Sequence, residues 1–150
     1  MITKNKTICQ LKRLLFSLLL PAAITTAIPL QAQTCTSKLP RQLRIASYNI
    51  QHGVGMDHKL DYKRIANVLE DISPDVVAIQ EVDSMTNRSH QQYVLCEVAT
   101  LTGMHGSFAP AIPYDGGKYG IGILSCEKPL RLTAYPLPGR EEARMMLVAE

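Results

Sequence analysis

The chain has 150 residues, 46% hydrophobic and 19% charged. That is enough for one domain with a real core, and the composition is that of an ordinary globular protein without low-complexity tracts. The formal net charge of +3 is concentrated at the N-terminus and gives no evidence of a polyanion-binding surface.

Four of the 16 basic residues (Lys4, Lys6, Lys12 and Arg13) precede residue 33, and all 13 acids follow residue 32. The remainder therefore carries 12 basic and 13 acidic residues, a net of −1. The basic start is followed by an apolar run from Leu14 to Ile24 and by Leu30 and Ala32 in an A-x-A-like relation. Residues 1–32 read as a secretory signal peptide, since the apolar run is short for a membrane span. An uncleaved anchor and lipidation at Cys35 are the weaker alternatives. The expected location is export, to the periplasm or outside the cell. Beyond residue 32 lie Cys35, Cys96 and Cys126, not at zinc-ligand spacing. One pair could oxidise and leave an odd cysteine, but small buried or incidental residues are the favoured reading.

Residues 33–41 form a polar linker, and 42–150 form the domain. Leu43 to Ile50 alternates and reads as a strand. His52 to Lys59 is a loop with Gly53 and Gly55. Asp61 is a good N-cap, and Ile65, Val68, Leu69 and Ile72 recur at helical spacing on one apolar face. Ser73-Pro74-Asp75 ends that helix. Val76 to Gln80 is a continuous apolar run that suits an interior strand, and Asp83 to His90 reads as a polar loop. Val94, Leu95, Val98 and Leu101 mark a second helix, closed by Gly103. Pro110 and Pro113 make Phe108 to Tyr114 extended or irregular. Gly116-Gly117 is a turn, Gly120 to Ser125 a strand, Leu130 to Tyr135 a further candidate strand and Pro136 to Arg140 a turn. Arg144 to Glu150 begins another strand. Strand, helix, strand, helix and shorter strands imply a layered α/β or α+β domain.

Two strand ends, at Asn49 and Glu81, are separated by one helical crossover. Such a unit places its strands parallel and close, so an amide and a carboxylate can converge at the carboxyl ends. Mg²⁺ takes oxygen ligands and often uses only one or two carboxylates, with water and substrate phosphate completing its shell. Solvated strand ends are the plainer reading of the same spacing. His52, His58, His90 and His105 read as loop or surface residues, His52 being the one that could line a cleft. Tyr114 and Tyr119 could stack on a substrate, with packing as the default. Met145 and Met146 read as core.

The blocks RIASYNIQHG (44–53), SPDVVAIQEVD (73–83), GGKYGIGILS (116–125) and EEARMMLVAE (141–150) stand in the order of the endonuclease/exonuclease/phosphatase superfamily, and the chain resembles its exported bacterial members. The resemblance implies a DNase I-like four-layer α/β sandwich, here as an incomplete first half. It implies that Glu81 is the metal-binding glutamate and that Asn49 stands near the metal and the scissile phosphate. It also implies that Arg144 supports the phosphate pocket, for which a planar guanidinium is suited; pairing of Arg144 with Glu141 or Glu142 is the equal alternative. The implied cofactor is Mg²⁺, with Mn²⁺ next. The implied reaction is attack of water on a phosphodiester or phosphomonoester of a nucleic acid, a phospholipid headgroup or a small phosphorylated metabolite. No obligate protein partner is implied, and a monomer is expected. The family's Asp-x-Asn and terminal Ser-Asp-His motifs, which supply the base and the catalytic histidine, do not occur in these 150 residues. The chain by itself is therefore expected to be inactive, and a non-catalytic remnant or binding module of the same fold is the competing reading.

Overall fold

The computed structural model describes residues 42–150; the expected signal peptide and the expected linker lie outside them. Six strands and two helices follow in the order β1 (Ile45–Asn49), α1 (Tyr62–Ile72), β2 (Val76–Ser84), α2 (Val94–Thr102), β3 (His105–Tyr114), β4 (Gly117–Ser125), β5 (Leu132–Leu137) and β6 (Arg144–Ala149), with one turn of 3₁₀ helix at Gln51–Gly53 after β1. A four-stranded sheet has the order β1-β2-β4-β3, and β5 and β6 form a two-stranded antiparallel sheet. The strands β1 and β2 are parallel through the α1 crossover, as the handedness and closeness of such units require. The other pairs of the larger sheet are antiparallel.

The helix α1 starts where Asp61 accepts a hydrogen bond from the Arg64 amide at 2.9 Å, and it stops at Ser73 in the left-handed conformation. Its buried stripe is Ile65, Ala66 and Leu69, whereas Val68 and Ile72 are about two-fifths exposed at 39% and 41%. Ile65 and Leu69 of the expected stripe are thus buried, with Ala66 beside them in place of Val68 and Ile72. The helix α2 buries Val94, Leu95, Val98 and Ala99 and ends at Gly103, φ 69°. It lies close on the sheet at two glycines: a Cβ on Gly106 would stand 3.1 Å from the Ala99 Cβ, and one on Gly122 would stand 2.6 Å from a Leu95 methyl. The helices and the sheet enclose one core of Ile65, Leu69, Val77, Ile79, Val82, Val94, Leu95, Val98 and Leu124. The smaller sheet packs against β3 and β4.

Of the two alternatives for residues 108–114, extended or irregular, the structure takes the extended one in spite of two prolines: β3 is the sheet edge and its pairing with β4 shifts at Pro110–Ile112, and an edge or a bulge spares proline the hydrogen bond it cannot donate. Other readings differ from expectation. Pro136 and Leu137 complete β5 instead of opening a turn. Met146 is 43% exposed, not core. Cys96 and Cys126 are both disulfide-bonded, so neither is an incidental thiol. Among the described residues no helix is long and apolar enough to cross a membrane.

Candidate active site

The apolar run that begins at Val76 does not end at Glu81. The strand β2 continues to Ser84 and carries a bulge at Gln80-Glu81. Ile79 faces Gly122 on β4, yet Val82 faces Gly120, so two residues of β2 stand against the single Ile121. This extra residue changes the face of everything after it. Val77 and Ile79 point into the core, and simple alternation would have sent Glu81 there next. Instead Val82, fully buried, takes the core position, and Glu81 is turned out. Glu81 itself has φ 58°, the left-handed region in which a side chain is strained by about 1–2 kcal/mol.

The neighbouring strand runs out at this level. The last pairing of β1 with β2 is Asn49 with Gln80, and the Ile50 amide still donates to the Gln80 carbonyl at 3.2 Å. Asn49 Nδ2 donates to Glu81 Oε1 at 2.7 Å, while Asn49 Oδ1 accepts from the Gln51 amide at 3.0 Å. Both ends of the amide are engaged, and the chemistry of the two partners assigns which end is oxygen. Asn49 thus orients the carboxylate; Glu81 Oε2 makes no hydrogen bond among the described residues. Next come Gln51 and His52, with φ 44° and 46°, and Gly53, whose φ of 102° suits glycine alone. A Cβ on Gly53 would also lie 2.4 Å from the Tyr62 ring.

Beyond the bulge, Asp83 is wholly buried. It accepts from Arg88 Nε at 2.7 Å and Nη2 at 2.8 Å, from Thr86 Oγ1 at 2.6 Å and from Ser89 Oγ at 2.7 Å. Burial alone would raise its pKa, but the Arg88, Thr86 and Ser89 donors overcome that and hold the carboxyl below the usual range. Asp83 was expected in a polar loop; it is instead the anchor around which residues 84–93 fold. Ser89 is consumed in this cluster. The Arg88 guanidinium lies 4.4 Å from the Tyr114 ring centroid and 5.6 Å from that of Tyr119, and Nη1 donates to the Tyr114 hydroxyl at 3.3 Å. Tyr119 faces Asp83 across the β2–β4 ladder.

His52 feels the charges of both groups. The His52 pKa is lowered from 6.5, first by burial and then by the Arg88 charge, against the opposing charges of Asp83 and Glu81. The Tyr119 hydroxyl is pushed up by burial and by the carboxylates of Glu81 and Glu142. Arg144 does not join Asn49 and Glu81 in any hydrogen bond or ion pair. It pairs with Glu142 at 3.0 Å and is 70% exposed, the alternative considered for it. Sequence reasoning missed Asp83 and Arg88 as members of the site; the signal available was an acid and a basic residue five apart across a segment rich in small hydroxyl residues.

Among the described residues no group of three His, Cys, Asp or Glu side chains gathers as a metal cluster. One outward carboxylate held by an amide does not suit Zn²⁺, which takes three or four protein ligands. It does suit Mg²⁺, which keeps water and substrate oxygens in its shell. Glu81 is the residue that would hold such an ion, with Asn49 fixing its direction.

The mixed sheet, its bulged acid and the amide from the adjoining strand end define a DNase I-like α/β protein. Residues 46–148 match the Endonuclease/Exonuclease/phosphatase family, and the chain belongs to that family. Among solved structures it is similar to an endonuclease/exonuclease/phosphatase from Beutenbergia cavernae DSM 12333, with a TM-score of 0.56 at 22% identity, covering 71% of this chain and 33% of that one. It is also similar to an endonuclease/exonuclease/phosphatase family protein from Leptotrichia buccalis C-1013-b, with a TM-score of 0.58 at 12% identity, covering 72% of this chain and 49% of that one. The chain thus spans a third to a half of the length of these structures. A comparison with curated proteins gives no match.

Proposed function

We propose that this chain contributes the metal-holding half of an exported, divalent-metal-dependent phosphoesterase. The supporting observation is the Glu81 carboxylate, turned out of the core by a strained bulge and held at 2.7 Å by the Asn49 amide. Strain of this kind persists where surrounding structure enforces it, and it concentrates at functional positions. Glu81 would hold the ion, Mg²⁺ or alternatively Mn²⁺. A bound divalent ion would supply charge stabilisation at the phosphoryl oxygens and the leaving group.

His52 is half-buried, and burial followed by the Arg88 charge holds its pKa below the ordinary imidazole value. Arg144, tied to Glu142, is the more peripheral cation. The base and catalytic histidine that the resemblance assigns to the Asp-x-Asn and Ser-Asp-His motifs are not among these 150 residues, so turnover is not expected of the chain alone. Nucleic acid, phospholipid headgroups and small phosphorylated metabolites all remain substrate classes of this proposal. The near-neutral charge beyond residue 32 disfavours avid non-specific DNA binding. The disulfide-bonded Cys96 and Cys126 support an oxidising compartment, and the protein is proposed to act as a monomer.

The test is metal binding. Mn²⁺ should broaden the NMR signals of Asn49, Glu81 and their neighbours, and Glu81→Gln should abolish that broadening. Broadening that is unchanged in the variant would sink the reading. A longer form bearing the two motifs should hydrolyse a generic phosphodiester with Mg²⁺, whereas this chain should not.

A further inference from the structure

We propose that Arg88 is a second anion contact of the site, binding a phosphate oxygen of the substrate next to the ester that is cleaved. The proposal rests on the phosphoesterase reading and adds a residue for which the sequence offered no role.

Arg88 has five N–H groups. Two grip Asp83 side-on and one meets the Tyr114 hydroxyl. That leaves one N–H on each of Nη1 and Nη2 for an oxyanion, a two-pronged fork when the Tyr114 hydroxyl takes the Nη1 hydrogen that faces away from Nη2. The side chain is 30% exposed, so the fork is reachable. It is also pre-aimed: the carboxylate beneath it is fully buried, and the rings of Tyr114 and Tyr119 lie against the guanidinium. Asp83 follows Glu81 by two residues on the bulged strand β2, and His52 lies within electrostatic reach of Arg88, Asp83 and Glu81. The fork and the metal-holding acid can therefore serve one ligand. Tyr114, 42% exposed, is placed to lie beside whatever carries that phosphate.

The experiment is an NMR titration of the 150-residue chain with inorganic pyrophosphate and, separately, with thymidine 3′,5′-bisphosphate, both without metal. Phosphate binding should shift the Arg88 Nε–H and His52 signals. Arg88→Lys keeps the charge but loses the fork, and should weaken binding about tenfold while the fold is retained by circular dichroism. Arg88→Gln should abolish binding; if it fails to fold, the lysine variant decides. Movement of the Tyr114 ring signals with the nucleotide alone would place the phosphate on a nucleic-acid strand, and equal response to both ligands would place it on a small phosphorylated molecule. Unchanged affinity in Arg88→Lys, or shifts confined to other arginines, would overturn the proposal. The Mn²⁺ measurement on Glu81 is independent, so its success beside a negative result here removes only the role of Arg88.

Discussion

Glu81 offers a test in which glycine and alanine exchange their usual order. Both Glu81→Gly and Glu81→Ala remove the carboxylate and its bond to Asn49, so they differ only in the Cβ. At an ordinary strand position glycine is the worse choice by roughly 0.5–1 kcal/mol, from the entropy of the unfolded chain. At φ 58° the Cβ costs about 1–2 kcal/mol. The balance favours glycine by about 0.5–1 kcal/mol, a swing of about 1–2 kcal/mol from the ordinary case. For a domain of this size that corresponds to a midpoint roughly 2–6 °C higher for Glu81→Gly. Thermal and urea unfolding followed by circular dichroism, at one pH and with the disulfides intact, would measure it. An alanine variant as stable as the glycine variant, or more so, would show that the bulge relaxes at no cost and that the left-handed backbone does not hold the acid outward.

Other expectations follow from the same geometry. Asn49→Ala should leave Glu81 untethered and weaken Mn²⁺ binding about tenfold, as loss of an outer-shell partner does, with little change in the thermal midpoint. Asp83→Ala removes the buried end of the Arg88 pair and strands two hydroxyls, and should cost about 3 kcal/mol, read as a lower urea midpoint; a loss under about 1 kcal/mol would mean the cluster is not an anchor. Gly120→Ala would put a Cβ 2.2 Å from the Ala109 carbonyl oxygen, a backbone atom that cannot step aside, and should cost about 3 kcal/mol or more. Gly139→Ala, with its nearest atom at 3.8 Å, should change stability by less than about 0.5 kcal/mol. His52 has a folded pKa below 6.5, so below that pH the unfolded chain binds the extra proton. Its contribution to stability is complete above about pH 6.5 and is lost as pH falls through the folded value; His52→Gln should flatten that part of the urea-midpoint profile.

The sequence by itself determined the elements and the partners at the strand ends. Local chemistry suffices for an Asp61 cap, a Gly103 stop, a continuous apolar β2 and a crossover that makes β1 and β2 parallel. The adjacency of Asn49 and Glu81 follows from that crossover. Only the tertiary structure decided how Glu81 leaves the core. Alternation along VVAIQEVD points Glu81 inward with Val77 and Ile79, and nothing local marks the extra residue; the bulge exists because β4 offers Ile121 alone against Gln80 and Glu81 while Val82 fills the core place. Asp83 was opaque for the same reason. A carboxylate followed by polar residues reads as a loop until the chain folds back and supplies Arg88, Thr86 and Ser89 as donors, and only their combined hydrogen bonds make its burial affordable.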